Sequence, residues 1–216
     1  MLRPEPSSRE ATTPAARRAE VLTRVRRHLP VDAAKPDVAA LETIRYEDRA
    51  AKFAELLAAV GGACARFPDE ASAAAHVAGL PVVAEAARID SDVPSVLAPR
   101  GGPAPAVRPH DLADVDVACV RGEIAVAENA AVWVGQTPGR HRAVYFLAQH
   151  VVLVVEVASL VDTLHEAYRL LAGRLGPEPS PSFGVWISGP SKTADIEQSL
   201  VIGAHGARSL TVLLIG

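Results

Sequence analysis

The run at residues 151–157, VVLVVEV, constrains the fold more than any other stretch of the chain. A half-buried strand alternates apolar and polar residues, whereas this run is apolar on both of its faces until Glu156. Such a strand is typical of a parallel sheet that is covered on both faces. The run is also far shorter than the ~20 apolar residues that a membrane helix needs. We therefore expect a soluble α/β fold.

Shorter elements surround this strand. The sequence predicts strands at 115–120, 123–127, 131–135, 183–187 and 210–215, and a short strand around Val82. Apolar spacing predicts helices at 46–60, 69–78, 160–171 and 194–201, the third beginning near Ser159 and Asp162. The alternation of strands and helices in the second half predicts a mostly parallel open sheet with helices on both faces.

The N-terminal region differs in composition from the rest. Its first thirty residues hold seven arginines and three glutamates, which leaves a formal charge of −7 on the remainder. We predict two domains, residues 1–40 with a basic amphipathic helix at 14–29, and residues 41–216 with the α/β fold. The helix suits either docking to an acidic partner or nucleic acid, or covering its own core with a solvated basic face.

Composition excludes several classes of protein. The net charge of −3 and the pI of about 6.2 argue against a general nucleic-acid binder. Two distant cysteines, Cys64 and Cys119, provide neither a disulfide framework nor the ligands of a zinc or iron–sulfur site. The N-terminus has no apolar signal core, so we expect a cytoplasmic protein. We expect no membrane span because the apolar runs are too short, and no metal site because the cysteines are too few.

Polar residues cluster at 188–197, SGPSKTADIE, between a predicted strand and a predicted helix. Gly189 allows the backbone to approach a ligand, and a helix N-terminus offers N–H groups and partial positive charge. Ser191 and Thr193 add hydroxyl groups, and Lys192 adds a charge. The cluster predicts a site for a carboxylate or phosphate, although a well-capped helix start is the alternative.

Two further segments supply candidate catalytic residues. We expect them at the carboxyl ends of the strands, where open α/β sheets bind ligands. His205 lies among glycines in the segment GAHG, which ends at Gly206 and is typical of a loop. Glu128 and Asn129 lie between two valine-rich strands, where a carboxylate without a partner is costly. A buried glutamate there suits a general base or nucleophile, and a loop residue at a strand end is the alternative.

Residues 188–197, residues 203–206 and the last strand together resemble the lactate utilization protein C family, whose module is called the LUD domain. That family ends in a segment of this type, a Gly-x-His-Gly turn and a valine/leucine strand. Residues 127–134, AENAAVWV, resemble its Ala-Glu-(Thr/Asn)-Gly strand entry, with Ala130 in place of the expected glycine. The resemblance covers roughly residues 40–216.

This resemblance implies a fold like that of ribose-5-phosphate isomerase, glucosamine-phosphate deaminase and the CoA-transferases. It also implies a three-protein system that oxidises L-lactate to pyruvate and whose other two members carry iron–sulfur clusters. On this hypothesis the chain holds no cofactor of its own. Lys192 and the predicted helix start bind the substrate carboxylate, and His205 or Glu128 handles the proton of its hydroxyl group.

Two other functions remain open at this point. One is a transferase or isomerase acting on a CoA ester or sugar phosphate, with Glu128 as nucleophile or base. The other is a non-catalytic assembly or regulatory subunit that docks through the helix at 14–29.

Overall fold

The structure is a computed structural model that describes residues 13–28, 36–37, 43–102, 108–137, 140–174, 183–193 and 200–216. The chain divides into two units, Met1–Glu42 and Thr43–Gly216. From the sequence we also predict a linker at 31–44 and a Pro/Gly-rich loop at 94–109. Most of the first and part of the second lie outside the described residues.

The described residues form six α-helices and eleven strands. The helices are α1 (Pro14–Arg27), α2 (Arg49–Ala59), α3 (Glu70–Ala78), α4 (Pro81–Ala84), α5 (Val144–Leu147) and α6 (Leu164–Arg174). The first six strands are β1 (Ala63–Phe67), β2 (Ile89–Ser91), β3 (Val117–Gly122), β4 (Ile124–Val126), β5 (Ala131–Gly135) and β6 (His150–Glu156). The others are β7 (Leu160–Val161), β8 (Gly184–Ile187), β9 (Lys192–Thr193), β10 (Val201–Ile202) and β11 (Ser209–Ile215).

Five strands form a parallel sheet in the order β1-β11-β6-β3-β2. Its central strand β6 is buried on both faces, as its sequence predicts. Val151, Leu153 and Val155 pack in one core with α2. Val152 and Val154 pack in a second core with α3 and α4. The predicted α/β fold, with a mostly parallel sheet and helices on both faces, is confirmed.

A second sheet, which the sequence analysis did not predict, has the order β7-β4-β5-β8. The chain enters it directly from the first sheet, because β4 begins two residues after β3 ends. One face of this sheet packs with α2 and the parallel sheet through residues such as Val132 and Val134. The other face packs against α6 through Trp133 and Trp186. The second sheet is therefore a layer between the parallel sheet and α6.

Two predicted helices in the first half of this unit are confirmed, and their starts have a clear physical cause. The side chains of Asp48 and Asp69 accept hydrogen bonds from the N–H groups of Ala51 and Ser72, at 2.9 and 2.7 Å. These caps satisfy N–H groups that a helix start leaves unpaired. The strand predicted around Val82 is wrong, because residues 81–84 form the short helix α4 behind a proline at its first position.

The predicted start of α6 at Ser159 is also wrong. Residues 160–161 form strand β7, and α6 begins at Leu164. There the Thr163 hydroxyl accepts a hydrogen bond from the Glu166 N–H at 3.3 Å, and the Glu166 carboxylate accepts one from the Asp162 N–H at 3.1 Å. The capping pattern is of the predicted kind, but it lies four residues further along the chain.

The sequence predicts a helix at 194–201, but its last residue, Val201, lies in strand β10. Thr193 pairs with Val201 and Lys192 with Ile202 in a two-stranded antiparallel ribbon. Residues 194–199 lie outside the described residues. Lys192 and Thr193 are thus strand residues rather than the start of a helix.

In the N-terminal unit, the predicted basic helix is confirmed as α1. The Thr13 hydroxyl caps it by accepting a hydrogen bond from the Ala16 N–H at 3.2 Å. The helix carries five arginines and one glutamate, and it has no buried residue. Across the described part of the chain, no helix is both long and apolar enough to cross a membrane.

Candidate functional site

A cavity of about 230 Å³ opens between β8, α5 and the amino ends of β6 and β11. Its walls are mostly apolar and include Tyr145, Phe146, Val151 and Leu210. The polar residues that line it are Ser188, Gly189, Ser191, His205 and Gly206. Four predicted site residues, Gly189, Ser191, His205 and Gly206, therefore meet at one cavity. The cavity lies at the amino ends of β6 and β11, whereas we expected these residues at the carboxyl ends of the strands. That they bind a ligand stays a prediction.

Gly189 shapes the rim after β8. Its φ of +76° lies in the left-handed region that favours glycine. A Cβ atom at Gly189 would lie 2.9 Å from the carbonyl oxygen of Val60, at the end of α2. Glycine therefore allows the loop from Ser188 to Pro190 to lie directly against the turn that ends α2.

Backbone hydrogen bonds join the two halves of the rim. The Ser191 N–H donates to the Ala207 carbonyl at 2.9 Å, and the Gly203 N–H donates to the Ser191 carbonyl at 2.8 Å. A Cβ atom at Gly206 would lie 3.0 Å from the Ser191 Cβ and 3.1 Å from its hydroxyl oxygen. The absence of a side chain at Gly206 thus lets the histidine loop approach Ser191.

Lys192 and Thr193 follow Ser191 in strand β9 and do not belong to the cavity wall. Lys192 is exposed and Thr193 is half-buried. Lys192 is therefore a positive charge next to the rim rather than a buried ligand contact. His205 is likewise exposed, on the loop that closes the rim.

Asn129 lies next to the cavity without lining it. Its carbonyl accepts a hydrogen bond from the Ser188 hydroxyl at 2.8 Å, and its side-chain oxygen accepts one from the Ala131 N–H at 3.1 Å. Ala130 between them has a φ of +52°, which an L-residue adopts at a cost of roughly 1–2 kcal/mol. The position at which the family resemblance led us to expect glycine is therefore a left-handed turn.

Glu128 is half-buried and points to a different part of the fold. Its carboxylate accepts a hydrogen bond from the Leu164 N–H, at the start of α6. Its own N–H donates to the Asp162 carbonyl at 3.1 Å. A carboxylate at a helix start is stabilised by the unpaired N–H groups and the helix dipole. The sequence offered a loop residue at a strand end as the alternative to a catalytic base, and the structure gives this loop residue a hydrogen bond to the start of α6. A catalytic role for Glu128 stays a prediction.

No carboxylate lines the cavity among the residues that the structure describes. Charged groups collect instead at the carboxyl ends of β2, β3 and β6. Arg121, at the end of β3, forms ion pairs with Glu70 and Glu156. Its backbone N–H also donates to Asp92 at 2.9 Å. Ion pairs within the chain thus occupy this end of the sheet.

Arg140 forms the most buried of these contacts. Its guanidinium contacts Asp90 and lies 3.8 Å from Asp92, and about a tenth or less of each of the three side chains is exposed. The nearby Asp90 oxygen has no well-aligned hydrogen bond, so this contact is an ion pair. Burial raises the pKa of Asp90, and the charges of Arg140 and Arg88 oppose that shift. The Thr137 hydroxyl donates to Asp92 at 2.8 Å.

A second charged cluster follows β7, beyond the carboxyl end of β6. The buried carboxylate of Asp162 accepts hydrogen bonds from Arg45 and Arg49, both at 2.9 Å, and from the Tyr46 N–H at 3.0 Å. Burial alone raises the pKa of Asp162, but these hydrogen bonds outweigh it and lower the pKa to about 2. Glu166 also forms an ion pair with Arg45.

The two cysteines do not suit an iron–sulfur cluster. Cys64 in β1 and Cys119 in β3 are separated by two intervening strands, which corresponds to about 14 Å. Burial raises the pKa of the Cys64 thiol to about 11 and that of Cys119 to about 12. Within the described ranges, no group of three or more histidine, cysteine or acidic side chains is arranged to hold a metal ion.

The aromatic residues of the cavity wall were not predicted from the sequence. Tyr145 and Phe146 lie in the short helix α5, whereas the stretch AVYFLAQ looks strand-like in the sequence. An adjacent aromatic pair was the only available signal. His150, at the start of β6, has its Nδ1 atom 2.8 Å from the Ser209 hydroxyl oxygen, so its ring has a hydrogen-bond partner within the fold.

Comparison with protein families matches residues 105–215 to the LUD domain. Several similar curated proteins are named lactate utilization protein C. The one from Shouchella clausii is 35% identical over 91 residues, which cover 42% of this chain and 40% of that protein. The one from Bacillus pumilus is 34% identical over 98 residues, which cover 44% and 40%. The matched region therefore spans about two fifths of these relatives.

The fold resembles that of one solved structure. A DUF162 family protein from Deinococcus radiodurans matches with a TM-score of 0.56 at 19% identity, over 78% of this chain and 99% of that one. At this level of identity the likeness concerns the fold alone.

Proposed function

This chain is a member of the LUD domain family, and we propose that it takes part in lactate utilization by binding the carboxylate of a small 2-hydroxy acid in the cavity between β8, α5 and β11. The curated relatives named lactate utilization protein C support the first part of this proposal. The geometry of the cavity supports the second part.

The observation that carries the proposal is the meeting of two separate motif segments at one rim. The Ser191 segment and the 203–207 loop are joined by two backbone hydrogen bonds, at 2.9 and 2.8 Å. Ser191, His205 and the two glycines then line the same space, and no carboxylate among the described lining residues repels an anion there. A volume of about 230 Å³ is below the ~300–1,000 Å³ of pockets for drug-sized ligands, so it suits a small acid better than a CoA ester.

Each rim residue has a proposed role. Ser191 donates a hydrogen bond to the substrate carboxylate, and Lys192 adds a positive charge beside the rim. The Ser188 hydroxyl holds the rim in place by donating to the Asn129 carbonyl at 2.8 Å. His205 accepts the proton of the substrate hydroxyl group, since histidine exchanges protons near neutral pH. Gly189 and Gly206 keep the rim open.

The electrons must leave this chain. Oxidation of a 2-hydroxy acid to a 2-oxo acid releases two electrons and two protons. The two cysteines are too far apart to hold a cluster, so we assign the electron acceptor to iron–sulfur partner proteins. On this proposal the chain is one component of an oxidising complex and has no lactate-oxidising activity alone.

An assembly role is the second candidate, and α1 favours it. The helix has no buried residue and carries five arginines with one glutamate. Such a surface suits docking to an acidic partner. Deletion of residues 1–30 then abolishes complex formation, whereas substitutions at the cavity leave both assembly and activity unchanged.

The deciding experiment is lactate-dependent dye reduction by the anaerobically purified complex. We compare wild type, His205→Ala, Ser191→Ala and Lys192→Ala with a complex that lacks this chain. Lys52→Ala on α2 is the matched lysine control, since Lys52 pairs with Glu55 at 2.9 Å away from the cavity.

We expect His205→Ala and Ser191→Ala to lower kcat/KM by about 10²-fold or more and Lys52→Ala to leave it unchanged, with assembly intact in every variant. If the cavity variants keep full activity while omission of the chain abolishes it, the chain is an assembly subunit. Activity that persists without the chain overturns both roles.

A further inference from the structure

We infer that the cavity selects 2-hydroxy or 2-oxo acids whose side chain is larger than the methyl group of lactate, a conclusion that rests on the proposed carboxylate site. The ligand class is a branched-chain or aromatic hydroxy acid. Four features of the cavity carry this inference.

The first feature is size. At ~30 Å³ per water molecule, a cavity of about 230 Å³ has the volume of about eight waters. A three-carbon acid fills only part of this space. Several water molecules would remain against apolar walls, where they find few hydrogen-bond partners.

The second feature is the separation of polar and apolar surface. Ser188, Ser191 and His205 belong to the loops that form the rim. The deeper wall comes from Val151 and Leu210, which are both at most 2% exposed. An acid that places its carboxylate at the rim therefore directs its side chain toward aliphatic carbon.

The third feature is the orientation of Tyr145. Its hydroxyl group donates a hydrogen bond to the Gly135 carbonyl at 2.9 Å. That hydrogen bond uses the hydroxyl proton of Tyr145, so the hydroxyl group cannot donate to a ligand. Tyr145 is thus an apolar wall residue rather than a polar ligand contact.

The fourth feature is Phe146, which lines the cavity although 46% of its surface is exposed. Its ring meets the Tyr145 ring edge-on, with centroids 6.4 Å apart. A branched or aromatic ligand side chain would cover this ring, whereas the methyl group of lactate is too small to do so. Phe146 is therefore the residue that we assign to side-chain selectivity.

The expected gain in affinity comes from burying the additional carbon atoms of the ligand side chain against the apolar wall of the cavity. Each methylene that leaves water for an apolar wall strengthens binding by about fourfold. L-2-Hydroxyisocaproate has three more carbons than lactate. Allowing for incomplete burial, we expect it to bind at least tenfold more tightly, and we expect 3-phenyllactate to bind at least as well.

The experiment is a ligand-observed NMR titration of the full wild-type chain. The ligands are L-lactate, L-2-hydroxyisocaproate, L-3-phenyllactate and the uncharged amide of 2-hydroxyisocaproate. The same titrations are repeated with Phe146→Ala and with Leu170→Ala. Leu170 is the matched control, because it is similarly exposed at 47% but lies on α6 and does not line the cavity.

We expect Phe146→Ala to weaken binding of the longer acids more than it weakens binding of lactate, which removes most of their advantage. Leu170→Ala should change neither. Equal or tighter binding of lactate overturns the inference and leaves the proposed site intact. Failure of every acid to bind, or equal binding of the amide, overturns the proposed carboxylate site itself.

Discussion

The two ends of the parallel sheet differ in how they use polar side chains. At the carboxyl end, Arg121 and Arg140 are held by acidic side chains of the same chain. At the amino ends of β6 and β11, serine hydroxyls, glycine backbone and His205 surround an open cavity that no described carboxylate lines. One end therefore uses its charges to hold the fold together, and the other places polar residues around an open cavity.

This difference limits a general rule. Open α/β sheets commonly bind ligands beyond the carboxyl ends of their strands. Here that end is closed by ion pairs, and the second sheet takes over directly where β3 ends. A ligand site at the carboxyl end requires free space and polar groups that are not already paired. In this chain the ion pairs lie at the carboxyl end and the cavity lies at the amino ends of β6 and β11.

The largest expected effect concerns the ion pairs at the carboxyl end of the parallel sheet. Arg140→Ala removes the guanidinium that lies nearest to the buried carboxylates of Asp90 and Asp92, and we expect the free energy of unfolding to fall by about 3–5 kcal/mol. Urea denaturation measures this change. Arg142→Ala is the matched control, because Arg142 is exposed and stacks only on the Phe183 ring at 4.7 Å. A loss below 1 kcal/mol at Arg140 would show that the ion pairs do not stabilise this end.

The next effect concerns pH. The pKa of Asp162 is lowered to about 2 in the folded chain, so its stabilising effect is complete above its unfolded pKa near 4. It is lost as the pH falls from about 4 to 2, and a shift of this size corresponds to about 2 kcal/mol. We expect Asp162→Asn to remove this part of the acid dependence in urea titrations at a series of pH values. An unchanged slope between pH 4 and 2 would contradict the assignment.

A smaller effect concerns Gly189 at the rim of the cavity. Gly189→Ala forces an L-residue into the left-handed region and places Cβ 2.9 Å from the Val60 carbonyl. We expect a loss of about 1–2 kcal/mol in unfolding free energy and weaker ligand binding. Gly173→Ala on α6 is the comparison, since its Cβ would meet no atom within 4 Å and alanine favours helix. Equal thermal midpoints for the two variants would refute a special backbone role for Gly189.

The smallest effect decides between two roles for Glu128. If the side chain only caps α6, Glu128→Gln keeps an oxygen acceptor, loses the charge, and lowers the unfolding free energy by about 0.3–1 kcal/mol. Dye reduction by the complex should then stay within about twofold of wild type. A loss of activity of 10²-fold with unchanged stability would restore Glu128 as a catalytic residue and contradict its assignment to the fold.

Much of the fold could be predicted from local patterns. The run at 151–157 predicts a strand covered on both faces, and the spacing of apolar residues predicts α2 and α3. The errors fall on very short elements, such as the four-residue helix α4 and the two-residue strands β7 and β9. Elements of this length show no measurable period, so tertiary contacts decide their conformation.

The site was predictable only in part. The glycine-rich segments and the family resemblance placed Ser191 and His205 among the site residues, and in the structure both line the same cavity. The partner of Glu128 was hidden, because placing the start of α6 at Ser159 moved Leu164 away from the helix start. Tyr145 and Phe146 were hidden for a similar reason, since nothing in a short aromatic stretch indicates which cavity it will line.

The burial of both thiols has a practical consequence. Thiol reagents attack the thiolate, and with pKa values of about 11 and 12 only on the order of a thousandth or less of each cysteine is in that form at pH 8. Alkylation of the native chain is therefore slow, and at the buried Cys119 its rate reports how often β3 opens. A single cysteine introduced at an exposed position can consequently be labelled with a fluorophore while both natural cysteines are retained.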